Sequence, residues 1–124
     1  MKKNNKKVFR RGDIYMADFT DKNGTCLQSG HRPCIVVSNK KCNEYAKFLT
    51  VVPLSTKEKR MHLPTHIKIN IEDVRGYLPK NSVAYVEQVT PIDKSNVFNK
   101  ISYLKVDSPV YQKINEALKI QVVL

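Results

Sequence analysis

The sequence predicts a mainly β fold: a small, strongly curved antiparallel sheet or barrel with one C-terminal helix as its cover. Short apolar or alternating runs recur between Ile14 and Leu104, separated by turn formers. The hydrophobic period changes once, beyond Asp107, where apolar residues begin to recur at helical spacing. A chain of 124 residues is enough for one core and one domain and too short for two.

Residues 1–9 read as a flexible basic arm ahead of a single domain over residues 10–124; within the first eleven residues Lys2, Lys3, Lys6, Lys7, Arg10 and Arg11 face no acid. The first strand alternates. Ile14, Met16 and Asp18 face one way and Tyr15, Ala17 and Phe19 the other, with Gly12 permitting a turn at the start. Residues 20–31 form a polar loop, long for a small domain and therefore a candidate for function. The second strand spans residues 33–38. Its run Cys34-Ile35-Val36-Val37 is uninterrupted and rich in β-branched side chains, as in a strand buried on both faces.

Residues 39–43 are a turn or a short helical piece, and residues 48–52 are a buried third strand. Pro53 is expected to end that strand, with Leu54, Ser55 and Thr56 beyond it. Residues 57–62 make a basic loop. Residues 65–69 alternate, with Thr65, Ile67 and Ile69 on one face. A turn at 72–76 precedes a strand at 82–89, whose inward set is either Val83, Tyr85 and Glu87 or Ala84, Val86 and Gln88. Residues 91–94 read as a turn and 98–104 as the last strand. Asp107 or Ser108 then suits a helix N-cap and Pro109 the first turn. Val110, Ile114, Ala117 and Leu118 form the apolar stripe of that helix. The apolar end at 120–124 is expected to pack on the body or on a second copy.

Charge narrows the function. The chain carries 22 Lys and Arg against 11 Asp and Glu, a formal net charge of +11, which favours a polyanionic partner. No basic amphipathic helix stands out, so a membrane surface is disfavoured. No apolar run approaches the ~18 residues of a span, and the basic N-terminus lacks a signal-peptide core. The expected location is the cytoplasm. The 3 cysteines, at 26, 34 and 42, are odd in number and evenly spaced, which fits neither a disulfide framework nor a zinc site. Cys34 reads as a small core residue. His62 and His66 have Pro64 between them, so they do not form a helical metal pair. No metal or cofactor is assigned.

Within Gly30-His31-Arg32-Pro33, Pro33 fixes its own φ and biases Arg32 to an extended backbone at the mouth of a core strand. A guanidinium pinned there is a clamp for phosphate or carboxylate, or one half of a structural ion pair.

Four pieces occur in order: Arg11-Gly12-Asp13-Ile14-Tyr15, Gly30-His31-Arg32-Pro33, Pro53-Leu54-Ser55-Thr56 and Glu87-Gln88. With Leu63-Pro64-Thr65-His66-Ile67 they resemble the MazF/PemK family of toxin endoribonucleases, from about Arg10 to the C-terminal helix. The resemblance implies an SH3-like, CcdB-like barrel that works as a homodimer. It implies sequence-specific, metal-independent cleavage of single-stranded RNA such as mRNA, and a cognate antitoxin whose acidic, flexible tail occupies the RNA groove. The family's catalytic arginine and hydroxyl fall on Arg32 and Ser55, with Thr56 as a substitute; the family often has threonine where this chain has Ser55. Gln28, Ser29, His31, Thr56, Lys57 and Gln88 are the expected RNA-binding residues. Thr90 stands where some relatives are basic, which leaves room for a different recognised sequence.

Metal-free cleavage uses the ribose 2′-OH as an internal nucleophile, so the protein must align it and stabilise the phosphorane. Arg32 suits stabilisation and not general-base work, because guanidinium hardly deprotonates. Ser55 is expected to donate a hydrogen bond to a phosphate oxygen. His31 is a tempting base, but neighbours on an extended chain point to opposite sides. Glu87 is a candidate for pairing with an arginine that holds the site. The rival readings are a non-enzymatic module of the same fold that binds a protein target such as a topoisomerase, and a basic RNA-binding barrel that leaves RNA intact. A binding-only relative has no need of both Arg32 and Ser55.

Overall fold

A computed structural model describes residues 7–20 and 30–122. The strands are β1 (Asp13–Asp18), β2 (His31–Val36), β3 (Phe48–Ser55), β4 (His66–Ile69), β5 (Arg75–Gly76), β6 (Ser82–Tyr85), β7 (Thr90–Asp93) and β8 (Val97–Tyr103). The helices are α1 (Lys40–Tyr45) and α2 (Pro109–Val122). The strands form one curled antiparallel sheet of 8, ordered β4-β6-β3-β2-β1-β8-β5, with β7 also on β3.

Strand alternation feeds two cores, one on each face. Ile14, Ile35, Val52 and Leu54 enter the first, which α2 covers with Tyr111, Ile114 and Ala117. Tyr15, Ala17, Cys34, Val36, Leu49 and Val51 enter the second. The alternating β1 and the uninterrupted β2 are therefore both buried on two sides, as the apolar run in β2 required.

The Arg11-Gly12-Asp13 stretch ties three strands together. Gly12 donates to the Val36 carbonyl at 2.8 Å and accepts from the Leu104 N–H at 2.8 Å. Asp13 is buried; its Oδ2 accepts the Arg10 N–H at 3.0 Å and its Oδ1 meets Lys100 Nζ at 3.1 Å. The Arg11 guanidinium lies over the Tyr111 ring.

Several expectations are corrected. Pro53 does not end β3, which runs through it to Ser55. One edge of β3 pairs with β7 up to Val51 and with β6 from Leu54, and Pro53 falls in the gap, where a missing N–H forfeits no ladder bond. The strand expected at 82–89 stops at Tyr85, and Val86–Gln88 is a 3-10 turn. The expected turn at 91–94 is strand β7, and the turn at 72–76 contains β5. Of the expected arm, residues 1–6 lie outside the described residues, while Phe9 is buried with its ring 5.1 Å from that of Tyr15. Ile120 and Val122 are exposed, which removes packing on the body and leaves packing on a second copy as the expectation for that end. No helix among the described residues is long and apolar enough to cross a membrane.

Candidate active site

The β2–β3 register places Arg32 and Ser55 at the same end of neighbouring strands. β2 and β3 pair antiparallel as Val36 with Val51, Ile35 with Val52 and Cys34 with Pro53. Extending that register by two residues sets Arg32 opposite Ser55. The alternate pairs on this face begin with Val36 and Val51 in the second core and continue through Cys34 and Pro53, so Arg32 and Ser55 stand at the end of that row. On its other side Arg32 is opposite Ala17, whose methyl leaves space for a long side chain. Arg32 is half-buried and Ser55 is buried. The β2–β3 pairing itself ends at Cys34 and Pro53; Ser55 is held by Val83 of β6, and the chain turns at Thr56.

Ser55 Oγ accepts the Lys57 N–H at 3.2 Å. The segment that follows is exposed, yet its backbone is tied to side chains from β4 and β6. Tyr85 donates its hydroxyl to the Lys57 carbonyl and accepts the Lys59 N–H at 3.2 Å. His66 Nδ1 lies 2.8 Å from the Lys59 carbonyl. A carbonyl only accepts, so that nitrogen carries a proton. His66 Nε2 lies 2.6 Å from Glu87 Oε2. His66 and Tyr85 are cross-strand partners, and their rings meet edge to face with centroids 4.5 Å apart. Burial opposes ionisation of Glu87, but hydrogen bonds from His66, its own backbone and Thr65 outweigh it and hold the carboxyl below the ordinary carboxylate range.

The remaining sequence-predicted residues are spread more widely. His31 begins β2 on the face away from Arg32, with Nε2 3.8 Å from Asp18 Oδ2 and its ring 5.3 Å from that of Phe98. Thr56 and Lys57 are exposed in the bend after β3. Gln88 sits in the 3-10 turn, half-buried, its Oε1 turned inward without a hydrogen-bond partner. Gln28 and Ser29 lie outside the described residues. Glu87 is paired with His66 and not with an arginine: the 3-10 turn that replaces the end of the expected strand aims it at β4. Among the described residues no three His, Cys, Asp or Glu side chains gather as a metal site. A separate cleft of about 880 Å³, bordered by Lys7, Arg10, Arg11, Lys40 and Lys94, lies at the opposite end of β1.

The model of the PemK-like, MazF-like toxins of type II toxin-antitoxin systems matches residues 10–122. The chain belongs to that toxin family. It is 33% identical over 118 residues to "Endoribonuclease EndoA" of Bacillus subtilis (strain 168), covering 94% of this chain and 97% of the relative. Among solved structures it resembles MazF of Deinococcus radiodurans, with a TM-score of 0.76, 18% identity and coverage of 96% and 100% of the two chains. It also resembles a mycobacterial endoribonuclease solved with its cognate antitoxin, with a TM-score of 0.71, 22% identity and coverage of 93% and 95%. At these identities the two structures speak for the fold.

Membership divides the motifs of this MazF-like chain by what they do in it. Arg11-Gly12-Asp13 staples strands together, while Arg32 and the end of β3 carry the candidate site. Sequence reasoning missed His66 and Tyr85. Alternation through Thr65, Ile67 and Ile69 assigns His66 to the outer face, whereas it is buried by its bonds to residues 7 and 21 positions away. The only cue was its place in Leu63-Pro64-Thr65-His66-Ile67.

Proposed function

We propose that this chain is the toxin of a type II toxin–antitoxin pair and acts as a metal-independent endoribonuclease on single-stranded RNA in the cytoplasm. The observation that carries this reading is the β2–β3 register, whose extension by two residues beyond Cys34 and Pro53 would set Arg32 opposite Ser55. The likeness to EndoA over almost the whole chain supports the same activity.

In this mechanism the ribose 2′-oxygen forms a bond to phosphorus and the bond from phosphorus to the 5′-oxygen breaks. The products are a 2′,3′-cyclic phosphate and a 5′-hydroxyl. The proton lost by the 2′-hydroxyl is balanced by the one gained at the departing 5′-oxygen. Arg32, with its fork of N–H donors, stabilises the extra charge of the phosphorane. Ser55 donates its O–H to a non-bridging oxygen, and the Lys57 N–H on its lone pair leaves that proton available. Ser55 rather than Thr56 takes this role, because alternation along β3 puts Ser55 on the face of Arg32. Lys57 and the other cations of the following loop attract the RNA backbone. Gln28 and Ser29, close to Arg32 in sequence, and His31 at the start of β2 are base-reading candidates. Residues 10–124 act as one domain that functions as a homodimer. Its antitoxin carries an acidic flexible tail that competes for the same cationic surface, which suits the +11 charge of the chain.

The test is incubation of purified protein, free of antitoxin and in EDTA, with a long unstructured RNA, followed by mapping of fragment ends. Cuts at one short motif with 2′,3′-cyclic phosphate ends are expected, and Arg32→Ala should lower cleavage by ~100-fold or more while leaving the domain folded. Intact RNA in the presence of folded, RNA-binding wild-type protein would sink the nuclease reading and favour the binding module.

A further inference from the structure

One continuous chain of contacts runs from Glu87 to the hydroxyl of Ser55. Glu87 Oε2 meets His66 Nε2 at 2.6 Å, and His66 Nδ1–H reaches the Lys59 carbonyl at 2.8 Å. The Lys59 N–H then reaches the Tyr85 hydroxyl at 3.2 Å, which itself donates to the Lys57 carbonyl. Finally the Lys57 N–H reaches Ser55 Oγ at 3.2 Å. Residues 56–60 are exposed and include three cations, a composition that normally makes a mobile surface loop. Here the backbone is bonded at Lys57 N, Lys57 O, Lys59 N and Lys59 O, and Arg60 closes the segment in a left-handed conformation at φ 50. The two side chains that hold it are fixed in turn. His66 is buried and seated edge-on against Tyr85, and Tyr85 is itself buried in β6.

We infer that His66 and Tyr85 are positioning residues for the Ser55 hydroxyl, with Glu87 as the anchor of His66. This rests on the reading of Ser55 as the phosphate donor. Ser55 closes β3, and beyond it no strand partner restrains the chain. The orientation of its Oγ therefore depends on where the Lys57 N–H sits. That position is set by the strap from Lys57 to Lys59, not by the sheet. The chain of bonds acts on the alignment of the reacting phosphate, where a displacement of about 1 Å can cost ~100-fold in rate.

The experiment is single-turnover and steady-state RNA cleavage by Tyr85→Phe, His66→Asn, His66→Gln and Ser55→Ala, with melting temperature recorded for each. Tyr85→Phe keeps the ring against His66 and removes only the hydroxyl. His66→Asn retains a donor near the place of Nδ1, and His66→Gln retains one near the place of Nε2. Tyr85→Phe and His66→Gln should lower kcat by ~10- to ~100-fold with KM for RNA little changed, and His66→Asn should restore most of kcat. In a Ser55→Ala background Tyr85→Phe should have no further effect, because the hydroxyl it positions is gone.

A KM increase at unchanged kcat would overturn the inference and assign the strap to RNA binding. Equal losses in the Asn and Gln variants, tracking melting temperature, would reduce His66 to a core residue. A full additional loss from Tyr85→Phe on top of Ser55→Ala would also overturn it. If Ser55→Ala alone cleaves like wild type, the reading of Ser55 fails instead, and that outcome is separate from all the others.

Discussion

Substituting Gly12 by alanine should damage this protein much more than the same change at Gly30, and the structure says by how much. Both glycines have positive φ, +96 at Gly12 and +86 at Gly30, so an alanine carries backbone strain at either position. The surroundings differ. A Cβ at Gly12 would stand 2.4 Å from the Leu104 carbonyl oxygen, a backbone atom, while a Cβ at Gly30 would meet nothing within 4 Å. Leu104 also donates its N–H to the Gly12 carbonyl at 2.8 Å, so the chain after β8 must shift and weaken the bond that joins it to β1. A forced backbone shift of this kind costs ~1–3 kcal/mol beyond the strain common to both sites. At roughly 2.1 cal/mol/K per residue, unfolding 124 residues gains about 260 cal/mol/K. The Gly12→Ala variant should therefore melt ~4–12 °C below Gly30→Ala. Thermal unfolding followed by circular dichroism, at matched protein concentration, reads the difference directly. Variants that melt within about 2 °C of each other would refute the close approach of Leu104 to Gly12 as a restraint on the fold.

Two further outcomes follow from ionisable groups. Glu87 has a carboxyl held below its ordinary range in the folded chain, so its ionised form stabilises folding above the ordinary glutamate pKa, and that contribution is lost as pH falls through the lowered value. The melting-temperature gap between wild type and Glu87→Gln should be open at neutral pH and close on acidification below about pH 4; a gap that widens in acid contradicts the pairing with His66. Burial pushes the Cys34 thiol up to about 12 against a backbone hydrogen bond from Tyr15, while Cys42 is exposed. Alkylation at pH 8 with peptide mapping should modify Cys42 in the native protein and Cys34 only after unfolding; equal labelling would place Cys34 outside the core.

Much of the fold was legible because periodicity reports burial. The alternation in β1 and the unbroken run in β2 each correctly announced a strand, and the helical spacing of Val110, Ile114, Ala117 and Leu118 announced α2. The reading went astray where tertiary partners override a local rule. Proline is expected to end a strand, but Pro53 sits where β3 changes neighbours and needs no donor. Strand propensity carries through Val86, yet the chain turns there, which aims Glu87 at His66. The Thr90–Asp93 segment has the composition of a turn and is a strand because β3 offers it an open edge.

By itself the sequence determined the family, the two-sided strand with Arg32 at its mouth, and the cationic balance, because these rest on residue types, their order and short-range spacing. Only the tertiary structure gave the β2–β3 register, whose extension by two residues sets Arg32 opposite Ser55, since register joins strands that are distant in sequence. It alone revealed the route from Glu87 through His66 and Tyr85 to Ser55. Those contacts join residues up to 28 positions apart, and no local pattern in a chain encodes which polar side chain will meet which backbone atom across a fold.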